Sequence, residues 1–288
     1  MQKLVPAAAV LLAASSAYAN PDVTSREYKL MLDASAFQYN SEASDVDDYL
    51  DDAETAIEAA ISRNVTGSES LEKVRDVSFY DTEGDCDLRT RGYSFRERVD
   101  NGDSEVTLKF RSPDRYISDF EDLSAASSSA EEKLEADVGA SSTSDFNVVY
   151  GHSTKAPNTR TINKMDDIND QFPGFDTDYG LSDTLDLDLV GGLSVREHVY
   201  KGQTIDLGSI DAEIAVTLWY ASVPSGTQSP VVVEVSFKYA DSSADYTKKV
   251  VNRAKQSFDA LRTLTGWTDP NSQTKTAWVY SADPTFCN

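Results

Sequence analysis

The sequence is poor in the residues that most often carry nucleophilic or zinc chemistry. Its 288 residues include two cysteines and two histidines. Cys86 and Cys287 do not form a CxxC pair, and neither has a histidine near it in the sequence. A cysteine nucleophile and a zinc site are therefore not predicted. Catalysis by this chain would depend on charged groups and positioning instead.

Positive charge is also scarce. The chain has 26 lysines and arginines against 49 aspartates and glutamates, which gives a formal net charge of −23. Nucleic acids and anionic membranes are bound through an excess of lysine and arginine, so neither is expected as a partner. An acidic surface is equally explained by solubility in a salty medium.

Long apolar runs are absent beyond the N-terminus. There the run "LVPAAAVLLAA" follows Lys3 and precedes "AYA", which is a small–x–small cleavage motif. The run is too short to span a bilayer. These features predict a signal peptide over residues 1–19, cleaved after Ala19, and a periplasmic or secreted protein without stable membrane association. Export leaves two alternatives for the cysteines, a Cys86–Cys287 disulfide or two free thiols.

The rest of the chain has the composition and patterns of a folded α+β protein. Hydrophobic residues make up 40 % of it and aromatic residues 10 %. Strands are predicted at "REYKLMLD" and "VVVEVSFKYA", and amphipathic helices over residues 44–63 and 244–264. The tail "KTAWVYS" is predicted to be a final strand or an ordered extension. We expect a single domain over residues 20–288. It has an N-terminal half at about 24–121, a Ser/Ala-rich connector at about 122–144 and a C-terminal half at about 145–288.

The scarce positive charge is concentrated in the stretch "GYSFRERVDNGDSEVTLKFR". Asn101-Gly102 predicts a type I′ hairpin turn between two strands of alternating pattern. The apolar residues of both strands must face one core, so the cations share the opposite face: Arg96, Arg98, Lys109 and Arg111. Like charges on one face repel each other. A bound anion with several oxygens is the simplest explanation for placing them there.

Several other strands also carry one apolar and one charged face. A sheet that closes with its charged face inward would explain this pattern, with helices covering the apolar outside. We therefore predict a closed or nearly closed antiparallel β-barrel of about eight strands with a charged interior. Carboxylates on that face would suit Mg²⁺ or Mn²⁺, and the candidates are Glu27, Glu234, Asp206 and Glu213.

The segment "FYDTEGDCDLRTRGYSFRERV…EVTLKFR" resembles the signature of the CYTH superfamily, the triphosphate tunnel metalloenzymes. The matching positions are Tyr80, Asp81, Thr82, Leu88, Gly92, Arg96, Arg98, Thr107, Leu108 and Lys109. The resemblance is specific from about Val77 to Arg111 and loose over the second half. It implies an eight-stranded antiparallel tunnel that binds a triphosphate group with a divalent metal. Members include thiamine triphosphatases, inorganic triphosphatases, class IV adenylate cyclases and RNA triphosphatases.

The resemblance also implies roles for individual residues. Lys29, Arg96 and Lys109 are the expected catalytic residues. Further phosphate ligands are expected at Arg98, Arg111, Arg196 and Lys238, and Glu27 and Glu234 are expected to hold the metal, with Asp206 or Glu213 as substitutes. The sequence has Ser25 and Ser236 where the family pattern has glutamates.

Three hypotheses follow for function. The first is metal-assisted hydrolysis of a phosphoanhydride in a small-molecule tri- or polyphosphate. The second is a non-catalytic exported binder of polyphosphate with a degenerate metal site, which the two serines favour. The third is an open, solvent-exposed charged sheet with a structural role. In the first hypothesis His198 is either a proton carrier or, like His152, a structural residue.

Overall fold

A computed structural model describes residues 23–140, 146–240, 247–269 and 273–288 of the chain. The predicted signal peptide lies outside these residues. No helix within the described ranges is long and apolar enough to cross a membrane.

The described residues form ten strands and seven α-helices. The strands are β1 (Val23–Leu32), β2 (Val65–Thr66), β3 (Ser70–Asp81), β4 (Tyr93–Asp100), β5 (Asp103–Ser112), β6 (Glu131–Gly139), β7 (Asn147–Asn158), β8 (Asp188–Asp206), β9 (Asp211–Tyr220) and β10 (Val232–Ala240). The helices are α1 (Glu42–Ile61), α2 (Asp87–Thr90), α3 (Arg115–Phe120), α4 (Asp166–Asn169), α5 (Pro173–Tyr179), α6 (Lys248–Leu261) and α7 (Lys275–Ala282).

The sheet closes on itself. Its strand order is β2-β8-β3-β4-β5-β7-β6-β1-β10-β9, and β9 pairs back onto β8. The predicted closed barrel is thus confirmed, and the open sheet of the third hypothesis is excluded. Two details differ from the prediction: nine strands close the ring rather than about eight, and β1 pairs parallel with β6 while the other pairs are antiparallel.

The additional strand β6 lies within the segment that the sequence predicted as a connector. Serine and alanine dominate the composition around it and conceal a period-two pattern. Leu134, Ala136 and Val138 are buried, while Glu135 and Asp137 alternate with them and line the inside of the barrel. A half-buried strand produces this alternation, so the connector prediction is wrong for residues 131–139.

Two apolar clusters cover the outside of the barrel. In the first, α1 and α6 pack on the outer faces of β1, β9 and β10. The predicted helix at 44–63 corresponds to α1, and its predicted apolar positions are buried: Val46, Leu50, Ala53, Ile57 and Ile61. The helix predicted at 244–264 is observed as α6, where the Thr247 side chain accepts a hydrogen bond from the Val250 N–H and caps the first turn. In the second cluster, Phe172 and Phe175 pack on Phe95 and Leu108 of the β4–β5 hairpin.

A third apolar cluster joins the C-terminal segment to one end of the barrel. Val279 and Tyr280 of α7 pack with Phe79, Trp219 and Val232 of the barrel. The sequence predicted a final strand or an ordered extension here, and the structure has a helix. Short apolar runs do not distinguish the two by periodicity; the N-cap hydrogen bond from the Ala277 N–H to the Thr274 hydroxyl is the local signal for a helix.

Candidate functional site

The β4–β5 hairpin places four cations inside the barrel. Asn101 and Gly102 have φ angles of 52° and 93°, as a type I′ turn requires. This turn sets the register in which Arg96 lies opposite Thr107, and Ser94 opposite Lys109. The apolar side chains of both strands pack outward, and the interior receives Arg96, Arg98, Lys109 and Arg111. The prediction that these four cations share one face is therefore confirmed.

The interior is a cavity of about 1120 Å³ with a strongly cationic lining. Among its described lining residues, 12 are lysine or arginine and 6 are aspartate or glutamate. The whole chain has the opposite balance, with 26 basic and 49 acidic residues. The fold thus concentrates positive charge on the inside of an otherwise acidic protein.

One group of cavity arginines surrounds a buried carboxylate. Glu197 on β8 accepts a hydrogen bond of 2.5 Å from Arg75 and one of 2.7 Å from the Trp219 indole, and Arg98 Nε lies 3.5 Å away. Burial alone would raise the pKa of Glu197, but Arg98 and Arg75 outweigh it and hold that pKa well below its usual range. Glu197 is therefore a fixed anion that neutralises part of the arginine group.

Arg96 does not take part in the ion pairs around Glu197. It makes no hydrogen bond or ion pair with any residue in the described ranges, and its Nε is buried without a partner. Burial, followed by the charge of Arg98, holds the pKa of Arg96 well below its usual value. Buried charges in proteins are normally paired. Arg96 thus brings to the cavity a hydrogen-bond donor that no described residue of the chain uses.

A second group interleaves lysines with carboxylates. Lys29 Nζ lies 3.0 Å from Glu27 Oε2 and 3.0 Å from Asp137 Oδ1. Lys109 Nζ lies 3.1 Å from Asp137 Oδ2. Burial, outweighing the attraction of Asp137, lowers the pKa of Lys109 to about 8. Gly151 makes room for Lys109, since a Cβ there would lie 2.3 Å from its Cε.

The carboxylates of this group fit a hard divalent cation. One oxygen each of Glu27, Glu135 and Asp137 lie within 4.8 Å of one another. Six oxygens around Mg²⁺ at about 2.1 Å are separated by about 3–4 Å, so the three side chains would share one ion by moving slightly closer together and away from their lysine partners. Of these three, Glu27 was predicted. Glu135 and Asp137 were missed with strand β6, although the spacing Lys133-x-Glu135-x-Asp137 has the period of an inward-facing strand.

The other predicted metal ligands lie outside this group of three carboxylates. Glu234 does line the cavity, but Lys275 Nζ of α7 lies 2.7 Å from its Oε1. Asp206 pairs with Arg63, and Glu213 pairs with Lys201 at 2.5 Å; neither carboxylate lines the cavity. Both belong to the end of the barrel where β8 turns into β9. The expectation that they substitute as metal ligands is therefore wrong.

Some of the predicted phosphate ligands line the cavity and others do not. Lys238 lines the cavity, as predicted, whereas Arg196 does not and pairs with Asp76 at 3.0 Å. On β8, Glu197 and Val199 line the cavity, so the alternate residues Arg196 and His198 face outward. The sequence assigned the wrong face of β8 to the interior.

Neither histidine lines the cavity. His198 is buried beneath α1, where its Nδ1 lies 2.8 Å from Glu42 Oε1. His152 lies 2.8 Å from both the Ser118 carbonyl and Glu132. Both are structural residues, as the second alternative for them stated.

Comparisons with known proteins give remote structural similarities. No protein-family model matches the sequence, and neither does any curated protein. The chain is similar to HpAC1 from Hippeastrum, a putative adenylyl cyclase with a dominant triphosphatase activity, at 14 % identity and a TM-score of 0.43 over 91 % of this chain and 97 % of that one. It is also similar to putative adenylate cyclases from Bacillus halodurans (10 % identity, TM-score 0.38) and Vibrio parahaemolyticus (11 %, 0.36), each over 90 % of this chain and 98 % of the other.

The architecture itself agrees with the motif found between Val77 and Arg111. The barrel is closed, and helices cover its outside. Arginines and lysines of that motif point into the cavity together with the carboxylates of β1 and β6. The chain thus has the closed barrel with a charged interior that its motif implies.

Proposed function

We propose that the cavity binds the phosphate chain of a small-molecule tri- or polyphosphate and hydrolyses its phosphoanhydride bond with the aid of Mg²⁺ or Mn²⁺. The observation that carries this proposal is Arg96, a partly buried guanidinium that lines the cavity and has no ion-pair partner in the described part of the chain. Arg98, Arg111 and Arg75 add further positive charge around it. Phosphate oxygens are the ligands that such a group binds best.

In this proposal the role of each cavity residue, in phosphate binding or in metal binding, depends on its position. Arg96 and Arg98 hold phosphate oxygens on the β4 side, and Lys29 and Lys109 hold them next to the carboxylates of β6. A divalent ion held by Glu27, Glu135 and Asp137 would neutralise charge on the phosphoryl oxygens. Positioning and charge stabilisation are the main sources of catalysis in phosphoryl transfer. This is consistent with a cavity in which neither histidine is a lining residue.

Binding without hydrolysis is the second candidate function. Ser25 and Ser236 replace carboxylates of the family pattern, and the remaining carboxylate of β10, Glu234, is paired with Lys275. Phosphate ligands are thus better preserved than metal ligands. Such a protein would bind polyphosphate through the same arginines and lysines and release it unchanged.

We also propose that the chain is exported to the periplasm or secreted. The signal-like sequence of residues 1–19 supports this. The disulfide between Cys86 and Cys287 supports it too, because disulfides persist in oxidising compartments. A substrate in such a compartment would be inorganic polyphosphate or another extracytoplasmic phosphoanhydride.

Phosphate release tests the hydrolase proposal. The chain from Asn20 onward is given tripolyphosphate, ATP or thiamine triphosphate with Mg²⁺ or Mn²⁺. We expect metal-dependent turnover that the Arg96→Ala/Lys109→Ala double variant lacks and that Arg196→Ala, an arginine outside the cavity, retains. Tripolyphosphate binding without turnover on any of the three substrates would support the binder instead.

A further inference from the structure

One strand of the barrel differs from the others in what it presents to the cavity. The lining residues of β9 are Ala215 and Thr217, and neither carries a charge. Each of the other strands of the closed ring contributes at least one charged residue to the described lining. The charged residues that β9 does possess, Asp211 and Glu213, lie at its start and do not line the cavity. The inner face of β9 is therefore neutral.

The strands on either side of β9 extend this neutral surface. Val199 of β8 lies opposite Thr217, and Ser236 of β10 lies opposite Ala215. All four residues line the cavity. Directly opposed residues on neighbouring strands have Cβ atoms about 4.5–5.5 Å apart, so the four side chains form one continuous patch, which we call the neutral wall. It presents methyl groups and two hydroxyl groups, and no side chain in it is larger than valine.

The neutral wall lies across the barrel from the proposed phosphate ligands of β5. In the closed strand order, β9 is four strands from β5 in one direction and four strands from β7 in the other. Lys109 and Arg111 of β5 line the cavity on that opposite side. A phosphate chain held by these two cations therefore has an uncharged surface across the cavity from it.

The cavity is also larger than a phosphate chain requires. Its volume of about 1120 Å³ exceeds the roughly 300–1000 Å³ of pockets that enclose drug-sized ligands, and tripolyphosphate is smaller than such a ligand. The methyl groups of the neutral wall contribute nothing to the binding of phosphate oxygens, but they do contribute when an organic surface covers them. The uncharged side of the cavity thus fits the organic group of a triphosphate ester.

We propose that the neutral wall is a specificity-determining subsite that receives the organic group of a triphosphate ester, a group about the size of a nucleoside. The arginines and lysines across the cavity hold the phosphates of the same molecule. This inference rests on the proposed binding of phosphates in the cavity and narrows it, because the preferred ligand is an organic triphosphate rather than inorganic tripolyphosphate. Thr217 and Ser236 supply hydroxyl groups for hydrogen bonds to the organic group, and Ala215 leaves the space that this group occupies.

Calorimetry in metal-free buffer tests the inference on the unaltered chain. The probes are ATP, thiamine triphosphate and tripolyphosphate. We expect at least one of the two esters to bind about 10-fold more tightly than tripolyphosphate, because the ester adds contacts with the neutral wall to those of its phosphates. If both esters bind no more tightly than tripolyphosphate, the inference is overturned.

A substitution that fills the space in front of the neutral wall tests its position. Ala215→Leu should weaken binding of the preferred ester by at least about 10-fold and leave the tripolyphosphate affinity within about twofold of the wild type. Ala59→Leu, the same substitution at an exposed position of α1, is the matched control and should change neither affinity. Equal losses for ester and tripolyphosphate in folded Ala215→Leu, or no loss for the ester, would overturn the inference. If Ala215→Leu does not fold, the comparison of ligands on the wild type decides.

The same measurements separate this inference from the proposed phosphate site. Arg96→Met should weaken the binding of ester and tripolyphosphate alike, whereas Ala215→Leu weakens that of the ester alone. Tripolyphosphate binding that Arg96→Met weakens, with no advantage for either ester, would overturn the role of the neutral wall and leave the phosphate site standing. If the wild type binds none of the three ligands, both proposals are overturned.

Discussion

Arg96 and Arg98 lie two residues apart on the same face of β4, yet only Arg98 has a carboxylate within reach. Its Nε is 3.5 Å from Glu197 Oε1, whereas Arg96 has no ion-pair partner among the described residues. The same strand thus carries one structural arginine and one arginine with unused binding capacity. Arg96 lines the cavity together with the other cations.

This difference predicts opposite effects on stability in the absence of ligand. Arg96→Met removes a partly buried charge without an ion-pair partner, so we expect it to raise the free energy of unfolding by about 1 kcal/mol. Arg98→Met should lower it, because Glu197 loses part of its compensation. Urea unfolding in phosphate-free buffer measures both. Destabilisation by Arg96→Met under these conditions would mean that the guanidinium has a partner in the free protein.

The buried cluster around Glu42 predicts a dependence of stability on pH. Burial would raise the pKa of Glu42, but hydrogen bonds from His198, Tyr220 and Tyr200 outweigh it and lower that pKa. A carboxyl whose pKa is lowered by folding stabilises the fold above its ordinary value of about 4.5 and loses this contribution as the pH falls through its folded value.

Glu42→Gln should therefore cost about 1–3 kcal/mol at pH 7. The difference from wild type should stay constant down to about pH 5 and shrink below about pH 4.5. Thermal unfolding across this range is the measurement. Glu72→Gln, which changes an exposed residue of β3, is the control and should show no such trend. A Glu42→Gln difference that grows on acidification would contradict the assignment.

Reduction of the disulfide should destabilise the protein by roughly 2–5 kcal/mol, because the bond closes a long loop in the unfolded chain. The two cysteines are 201 residues apart in the sequence. Urea unfolding with and without dithiothreitol measures the effect. Cys86→Ser/Cys287→Ser should unfold like the reduced wild type and ignore the reductant. If the wild type is reduced to two free thiols and its stability is unchanged, the prediction is contradicted.

The carboxylate trio predicts which acidic residues control metal affinity. Asp137→Asn should weaken Mn²⁺ binding by at least about 10-fold, since it removes a charged ligand. Asp206→Asn, which changes a carboxylate paired with Arg63 outside the cavity lining, should leave the affinity unchanged. Titration calorimetry with Mn²⁺ compares the two. Equal affinities for wild type and Asp137→Asn would exclude the trio as the metal site.

The sequence predicted the parts of the site that local pattern determines. Strict alternation around an Asn-Gly turn predicted that Arg96, Arg98, Lys109 and Arg111 share one face. The same alternation of apolar and charged residues in several other strands predicted a barrel with a charged interior. Strand β6 was missed because serine and alanine conceal its alternation. Glu135 and Asp137, two of the three carboxylates in the candidate metal site, lie on that strand and were missed for the same reason.

The remaining errors concern information that only the assembled sheet contains. On β8 both faces carry charged and apolar residues, so nothing local decides whether Arg196 or Glu197 points inward. The position of Lys275 next to Glu234 depends on how α7 docks on the barrel. That Arg96 lacks an ion-pair partner depends on which side chains the other strands place near it, which the sequence of β4 alone does not predict.

The measurement that most directly tests the central claim is the affinity for tripolyphosphate, followed by calorimetry in metal-free buffer. We expect tight binding by the wild type, and a loss of about 10- to 100-fold in Arg96→Met, the worth of charge-assisted hydrogen bonds to one guanidinium. Arg196→Met, the matched arginine on the outer face of the barrel, should bind like the wild type. Wild-type affinity in Arg96→Met, or equal losses in both variants, would contradict the assignment of the cavity as a polyphosphate site.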